Sequence, residues 1–133
     1  MDVIPSADRV ALDTHPYLCF NGQSSAPMLT YARTPCTSWG GLVNASMNAF
    51  GFTIAGEFSN AVTDCGLFLN GVDLGSRYEG TYTSGVWPPI GNCSTWIDYE
   101  NYDDATKAAI LQFTLASMDA LQVVFILCIF NSF

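Results

Sequence analysis

The stretch Phe52-Thr-Ile-Ala-Gly-Glu57-Phe is a short apolar run that ends in a carboxylate. We interpret it as a strand, with Glu57 at the point where the apolar residues stop. A carboxylate is costly to bury there without partners, and Gly56 lets another group approach the backbone closely. Glu57 is therefore the first candidate for a functional group. The ordinary alternative is a glutamate that simply reaches solvent at the end of a strand.

A second apolar stretch, Arg9-Val-Ala-Leu-Asp-Thr-His15, also becomes polar at its C-terminal end, and Pro16 ends regular pairing. We predict a buried parallel strand with Asp13, His15 and Tyr17 at its C-terminal mouth. His15 is the single histidine and shares a strand face with Asp13, so it is a candidate acid or base. A histidine at a strand end whose hydrogen bonds are satisfied is the ordinary alternative.

Three helices are predicted from apolar spacing. The first follows Thr37 as N-cap, ends at Gly51 and carries the apolar residues Trp39, Leu42, Val43, Met47 and Phe50. The second is marked by Ala61, Cys65, Phe68, Leu69 and Val72. The third follows Asp103, and its expected inner face is Ala108, Leu111, Leu115 and Met118.

Alternating strands and helices imply parallel strands with right-handed crossovers. The run Val123–Phe130 is the expected third strand. Three parallel strands make a poor whole domain, because both faces of such a sheet must be covered. The pattern alone therefore predicts a small α/β domain or a piece of a larger one. The long segment 76–102 is expected to be irregular, and loops of this length are usually functional.

The composition limits the partners of the chain. Its 133 residues suffice for one domain. Twelve acids against four bases give a net charge of −8, which argues against nucleic acid and against an anionic membrane surface. The apolar run 123–130 is far shorter than the roughly 20 residues that span a bilayer, so no transmembrane segment is expected. Residues 1–8 lack the features of a signal peptide. A neutral ligand such as a sugar suits this composition.

The five cysteines include no C-x-x-C pair, and an odd number leaves at least one without an intramolecular partner. With one histidine, the chain is expected to hold no metal and to use no cofactor. No G-x-S-x-G motif supports a nucleophilic serine. Asn44-Ala45-Ser46 is an acceptor sequence for N-glycosylation.

Aromatic residues make up 14% of the chain. Stacking on the apolar face of a pyranose is one use for them, and packing in the core or the loops is the ordinary alternative. The candidates for stacking are Tyr17, Phe20, Tyr78, Tyr82, Trp87 and Trp96.

Five strings appear in order along the chain: Asp13-Thr-His-Pro-Tyr-Leu-Cys-Phe20, Ala55-Gly-Glu-Phe-Ser-Asn-Ala-Val-Thr-Asp-Cys65, Leu69-Asn-Gly-Val72, Arg77-Tyr-Glu-Gly-Thr-Tyr82 and Ala116-Ser-Met-Asp-Ala-Leu121. With these strings the chain, from about Ala7 to Gln122, resembles the fungal exo-β-1,3-glucanases (glucan 1,3-β-glucosidases) of glycoside hydrolase family 5. The resemblance implies a (β/α)₈ TIM barrel with its active site at the C-terminal ends of the strands. This chain would supply the C-terminal portion, about strands 6–8, of an incomplete barrel.

The resemblance also implies roles for residues. The family members are retaining glycosidases, which use one carboxylate as nucleophile and another as acid/base. Glu57 matches the nucleophile that forms the glucosyl-enzyme. Tyr17 matches a tyrosine that hydrogen-bonds this carboxylate, and His15 matches a histidine that lines the glucose subsite. Phe20 matches an entrance aromatic that packs against the next sugar.

By the same resemblance, Cys65 and Cys93 are expected to form a disulfide, and Cys36 matches a cysteine whose partner lies beyond this chain. The expected ligand is a β-glucan polysaccharide or oligosaccharide, and the expected location of the full-length family member is extracellular or in the cell wall.

The chain departs from the family in two places. The Asn-Glu-Pro string that holds the acid/base glutamate does not occur, and the tryptophan-rich strand expected after Gln122 is replaced by Val123-Val-Phe-Ile-Leu. We therefore divide the chain into residues 1–122, part of a glycoside hydrolase barrel domain, and an aberrant apolar tail, 123–133. Valine codons begin with GT, as introns do, so we hypothesise that the tail is translated intron.

Three functional hypotheses follow from the sequence. The first is a truncated enzyme that by descent removes glucose from β-1,3-glucan but is inactive alone without its acid/base. The second is a non-catalytic glucan-binding module with Tyr17, Phe20 and Trp87 as its platform. The third is a non-functional remnant whose open barrel edges favour aggregation. We favour the first for descent and the third for the behaviour of the isolated chain.

Overall fold

A computed structural model describes residues 9–122. Two short strands, β1 (Leu12–Thr14) and β2 (Thr53–Ala55), pair in parallel, with Asp13 opposite Ile54. Two α-helices accompany them, α1 (Gly40–Ala49) in the crossover between the strands and α2 (Asp104–Leu121) after the long loop. The predicted α/β class is confirmed for this part of the chain. The expected third strand at 123–130 lies outside the described residues.

Short turns complete the secondary structure. A π-helical turn, Pro35–Trp39, runs directly into α1. Single turns of 3₁₀ helix occupy Met28–Tyr31, Cys93–Thr95 and Tyr99–Asn101. The last two lie within the segment predicted to be irregular, 76–102, which contains no strand or α-helix.

One main core joins both helices to β2. The Trp39 ring meets the Phe113 ring edge-on, with centroids 5.7 Å apart. The buried residues of this core are Leu18, Met28, Trp39, Val43, Ala55, Phe58, Val62, Ala109, Phe113 and Leu121. The core thus lies between α1, α2 and β2. The β1 residues are exposed or half-exposed, so the prediction of a buried strand there is wrong for the described part of the chain.

The predicted helix ends are partly correct. Asp103 caps α2, because its Oδ1 accepts a hydrogen bond from the Thr106 N–H at 2.7 Å. Gly51 follows α1 with φ of +128°, a conformation that glycine adopts without steric cost. Thr37 is not an N-cap. It lies inside the π-helical turn, where its hydroxyl donates to the Arg33 carbonyl.

The helix predicted from Ala61 to Val72 does not form, and this segment is a series of turns. Phe68 adopts φ of +62°, which ends any α-helix. The Leu69 N–H donates to the Gly66 carbonyl, and the Gly71 N–H donates to the Phe68 carbonyl, so these bonds close tight turns. The helical spacing of apolar residues from Ala61 to Val72 therefore does not reflect a helix. Asp64 and Cys65 are instead bonded to Arg77 and Cys93 of the following loop.

The predicted inner face of α2 is also wrong. Its buried residues are Ala109, Phe113, Ser117, Ala120 and Leu121, and the expected Ala108, Leu111, Leu115 and Met118 are exposed. The helix has two apolar stripes, and the stripe that packs is the one with small residues beside Phe113. This stripe is hard to recognise in the sequence because it includes the polar Ser117. Ser117 can be buried because its hydroxyl donates to the Phe113 carbonyl at 2.8 Å and needs no partner outside the helix.

A pair of leucine truncations tests which face of α2 is inside. Leu121 is 1% exposed and Leu115 is 57% exposed. We expect Leu121→Ala to lower the free energy of unfolding by about 2–5 kcal/mol, because it leaves a cavity. We expect Leu115→Ala to change it by less than about 0.5 kcal/mol. Urea unfolding followed by circular dichroism measures both. Equal losses would contradict the observed burial.

Candidate active site

The C-terminal ends of β1 and β2 meet at one edge of the sheet because the strands are parallel. Thr14 pairs with Ala55, the last residue of each strand. The residues that follow, His15 and Tyr17 after β1 and Gly56 and Glu57 after β2, therefore come together at this edge. The two strand ends singled out in the sequence thus form one site.

Glu57 and Tyr17 make direct contact. The Tyr17 hydroxyl donates a hydrogen bond to Glu57 Oε2. Burial, this hydrogen bond and the nearby Glu57 charge raise the pKa of Tyr17 to about 12. The phenol therefore keeps its proton at ordinary pH and remains a donor to the carboxylate. With 35% of its side chain exposed, Glu57 is held on one side and open on the other.

His15 lies between two carboxylates. Its Nδ1 is 3.9 Å from Glu57 Oε1, and its Nε2 is 3.0 Å from Asp13 Oδ2. The other oxygen of Asp13 accepts the Gly56 N–H at 2.6 Å. The bonds from His15 and from Gly56 lower the pKa of Asp13 below its ordinary value of 3.8. Asp13 is thus suited to remain ionised.

Phe20 lies beside this group. Its ring contacts the Tyr17 ring edge-on at 5.5 Å between centroids, and the residue is 50% exposed. An exposed aromatic ring next to a carboxylate is suitable for contact with the apolar face of a sugar. The structure therefore brings together four of the predicted site residues, Glu57, His15, Tyr17 and Phe20.

The other aromatic candidates do not join this surface as a set. Tyr78 is buried, and Trp96 packs partly buried against it and the disulfide. Tyr82 and Trp87 form a separate pair, with centroids 6.2 Å apart. The Arg77 guanidinium lies 5.7 Å from the centroid of the Trp87 ring, an approach typical of a cation–π contact.

A buried ion pair supports the site, and sequence reasoning missed it. Four N–H groups donate to the Asp64 carboxylate: the Asn70 amide, the Arg77 backbone N–H, the Arg77 Nε and the Tyr78 backbone N–H. Burial alone would raise the pKa of Asp64, but these donors outweigh it and the pKa is lowered. The spacing of Asp64 and Arg77 in the chain carried no local signal for this pairing.

Arg77 links this ion pair to the segment that carries Tyr17 and Phe20. Its Nη2 donates to the Cys19 carbonyl at 2.8 Å, and its Nη1 donates to the Phe20 carbonyl at 3.1 Å. Gln23 adds a second link, because its amide donates to the Cys19 carbonyl while its Oε1 accepts the Asp64 N–H. The long loop therefore holds the backbone on which the site aromatics stand.

Cys65 and Cys93 are disulfide-bonded, with an S–S distance of 2.08 Å. Cys19 is a buried free thiol, and Cys36 is an exposed one. Asn44 is exposed on α1, where its Oδ1 accepts a hydrogen bond from the Gln122 amide at 2.8 Å. Glycosylation of Asn44 stays a prediction.

Within residues 9–122, no group of three or more histidine, cysteine, aspartate and glutamate side chains is placed to hold a metal ion. The same residues include no helix with both the length and the apolarity to cross a membrane.

Comparisons with known proteins find similar sequences among proteins named as glucan 1,3-beta-glucosidases, which are glycosyl hydrolases. No family model matches the chain. The Aspergillus fumigatus protein named "Probable glucan 1,3-beta-glucosidase D" is 31% identical over 129 residues, and the Aspergillus oryzae protein of the same name is 40% identical over 127 residues. "Glucan 1,3-beta-glucosidase" of Lachancea kluyveri is 31% identical over 117 residues.

These alignments cover 86%, 85% and 86% of this chain, but the chain spans only 16%, 15% and 26% of the length of the respective relatives. The predicted resemblance to fungal glucan 1,3-β-glucosidases is confirmed over most of the chain. The chain corresponds to only a small part of the length of each relative.

The buried Asp64 predicts a pH dependence of stability. Its folded pKa lies below 3.8, so its contribution is fully present above that value and is lost as pH falls through the lower folded pKa. We expect Asp64→Asn to cost about 3–5 kcal/mol at pH 7, because Arg77 loses its partner. Below about pH 4 the difference between variant and parent should shrink.

Urea unfolding at several pH values measures this difference, and Asp73→Asn at an exposed position is the matched control. A constant difference from pH 7 to pH 3 would contradict the assignment of Asp64.

Proposed function

We propose that this chain is the nucleophile-bearing part of a retaining glycoside hydrolase of family 5 that removes glucose from β-1,3-glucan. The observation that carries the proposal is the Glu57 carboxylate, hydrogen-bonded by Tyr17 and faced by His15 at the joined ends of two parallel strands. The names of the relatives support the same class of substrate.

The chemistry assigned to Glu57 is attack on the anomeric carbon. One carboxylate oxygen forms a bond to that carbon, the glycosidic bond breaks, and its electron pair leaves with the departing sugar oxygen. The Tyr17 hydroxyl holds Oε2 by a hydrogen bond, which leaves Oε1 for the attack. Water then releases glucose from the glucosyl-enzyme.

The general acid is a second carboxyl group in enzymes of this class, about 5 Å from the nucleophile. Asp13 is the carboxylate linked to Glu57 through His15, and both of its oxygens accept hydrogen bonds. Because its pKa is lowered, it is a poor proton donor. We assign the acid/base to a group outside residues 9–122, and we expect the isolated chain to lose about 10²–10⁴-fold in rate on unactivated glucan.

The proposed setting is the C-terminal portion of a (β/α)₈ barrel, with β1 and β2 as its sixth and seventh strands and the domain extending over residues 1–122. Active sites of such barrels lie at the C-terminal ends of the strands, where Glu57, His15 and Tyr17 stand. The exposure of β1 is consistent with further strands beside it in a whole barrel. An extracellular or cell-wall location accompanies this proposal.

Trapping of the glycosyl-enzyme tests the nucleophile separately from the acid. A 2-fluoro-β-glucoside with a dinitrophenolate leaving group needs no proton donor, and its fluorine slows breakdown of the adduct. We expect one fluoroglucosyl unit on the peptide that contains Glu57, detected by mass spectrometry. Glu57→Gln should abolish the adduct, and Glu100→Gln, an exposed control, should retain it. An adduct on Glu79 or Glu100, or none on the parent, would refute the assignment.

A glucan-binding module without catalysis is the second candidate, and the half-exposed Phe20 against Tyr17 favours it. On either view laminarin should bind, and glucose release should be undetectable from both the parent and Glu57→Gln. We expect Phe20→Ala to weaken laminarin binding about tenfold, a loss of about 1.4 kcal/mol of stacking.

Isothermal titration with laminari-oligosaccharides measures this binding. Phe50→Ala is the matched control, because Phe50 is similarly exposed but precedes β2 at the opposite edge of the sheet. Equal effects of the two truncations would refute a binding surface at Phe20. Glucose release that vanishes in Glu57→Gln would show that an acid/base is present in the chain after all.

A further inference from the structure

Asp13 spans the two strand ends that form the site. It lies in the middle of β1, opposite Ile54 of β2. One of its carboxylate oxygens accepts the N–H of Gly56, the residue before Glu57, and the other oxygen lies 3.0 Å from His15 Nε2. A single carboxylate thus contacts both the backbone that carries Glu57 and the ring that faces it.

The close approach of Asp13 explains why residue 56 is a glycine. A Cβ built on Gly56 would lie 2.6 Å and 2.7 Å from the two Asp13 carboxylate oxygens, closer than real Cβ atoms come to any neighbour. Gly56 does not adopt positive φ, so its backbone conformation does not require glycine. The missing side chain instead leaves room for the carboxylate.

An ionised carboxylate accepts hydrogen bonds and donates none. The hydrogen bonds from His15 and Gly56 lower the pKa of Asp13, so the carboxylate is ionised at neutral pH. The contact with His15 then requires a proton on Nε2. In the neutral ring, one nitrogen donates and the other accepts, so Nδ1, which faces Glu57 Oε1 at 3.9 Å, is left as an acceptor.

We propose that Asp13 is a positioning residue. It fixes the neutral His15 ring in the Nε2–H tautomer, and it holds the backbone N–H of Gly56, the residue directly before Glu57. The role of His15 and Glu57 as the site rests on the proposed function above. The tautomer and the Gly56 bond do not, because both can be observed without any sugar. A hydroxyl group that enters beside Glu57 meets an acceptor at His15 Nδ1.

Asparagine at position 13 separates the two contacts. Its amide has an oxygen at only one of the two positions that the carboxylate oxygens occupy and an NH₂ group at the other, so only one of the two donors faces an acceptor. If the oxygen keeps the Gly56 N–H, the NH₂ group faces His15 Nε2. Nε2 must then accept, and the neutral ring changes to the Nδ1–H tautomer. Alanine at position 13 removes both contacts.

Because the chain has one histidine, its ring nitrogens can be assigned by long-range ¹H–¹⁵N NMR at pH 8 without ambiguity. We expect the parent to show the Nε2–H tautomer as the dominant form. Asp13→Asn should raise the Nδ1–H population several-fold, and Asp13→Ala should give a mixture and move the Gly56 amide proton upfield. Asp103→Asn is the matched control: Asp103 is an exposed carboxylate that also accepts a backbone N–H, and asparagine is an equally good N-cap.

Two results would overturn the proposal. The first is a dominant Nδ1–H tautomer in the parent chain, which needs no variant to fold. The second is an Asp13→Asn spectrum with the same tautomer populations and Gly56 amide shift as Asp103→Asn. Neither result depends on labelling at Glu57 or on laminarin binding, so failure of this proposal and failure of the proposed function are distinguishable.

Discussion

The buried carboxylate of Asp64 is the interaction on which the long loop and the site aromatics depend. A loop without regular structure must satisfy its backbone N–H groups elsewhere. Asp64 accepts N–H groups from Asn70, Arg77 and Tyr78. Arg77 in turn donates to two carbonyls of the Tyr17–Phe20 segment. Removal of this carboxylate would free both the loop and the backbone behind the site.

The site itself combines two kinds of support. Parallel pairing brings Glu57 and Tyr17 to one edge, and this depends only on strand direction. Fine positioning comes from side chains, since Tyr17 holds one Glu57 oxygen and Asp13 holds the preceding backbone N–H. The disulfide between Cys65 and Cys93 links the segment that follows Asp64 to the later part of the long loop. The position of Glu57 thus depends on contacts from both strand ends, and the long loop holds the backbone segment that carries Tyr17 and Phe20.

Errors of sequence interpretation occurred where packing, not periodicity, decided the structure. The spacing from Ala61 to Val72 is helical, yet Phe68 takes a left-handed conformation within a run of turns. In α2, Leu111 and Leu115 are the stronger hydrophobes, but the face with Ala109, Phe113 and Ser117 is inside. Small residues allow close helix approach, and the Ser117 hydroxyl is satisfied within its own helix.

The sequence by itself determined the α/β class, the polar ends of both strands, the cap at Asp103 and the stop at Gly51, because each depends on residues near one another in the chain. It also carried the resemblance to fungal glucan 1,3-β-glucosidases. Only the tertiary structure decided which face of α2 is buried, that Asp64 pairs with Arg77, and that Asp13 reaches Gly56. Asp64 and Arg77 are 13 positions apart in the chain, and Asp13 and Gly56 are 43 positions apart. A local sequence pattern holds no information about which distant groups will meet.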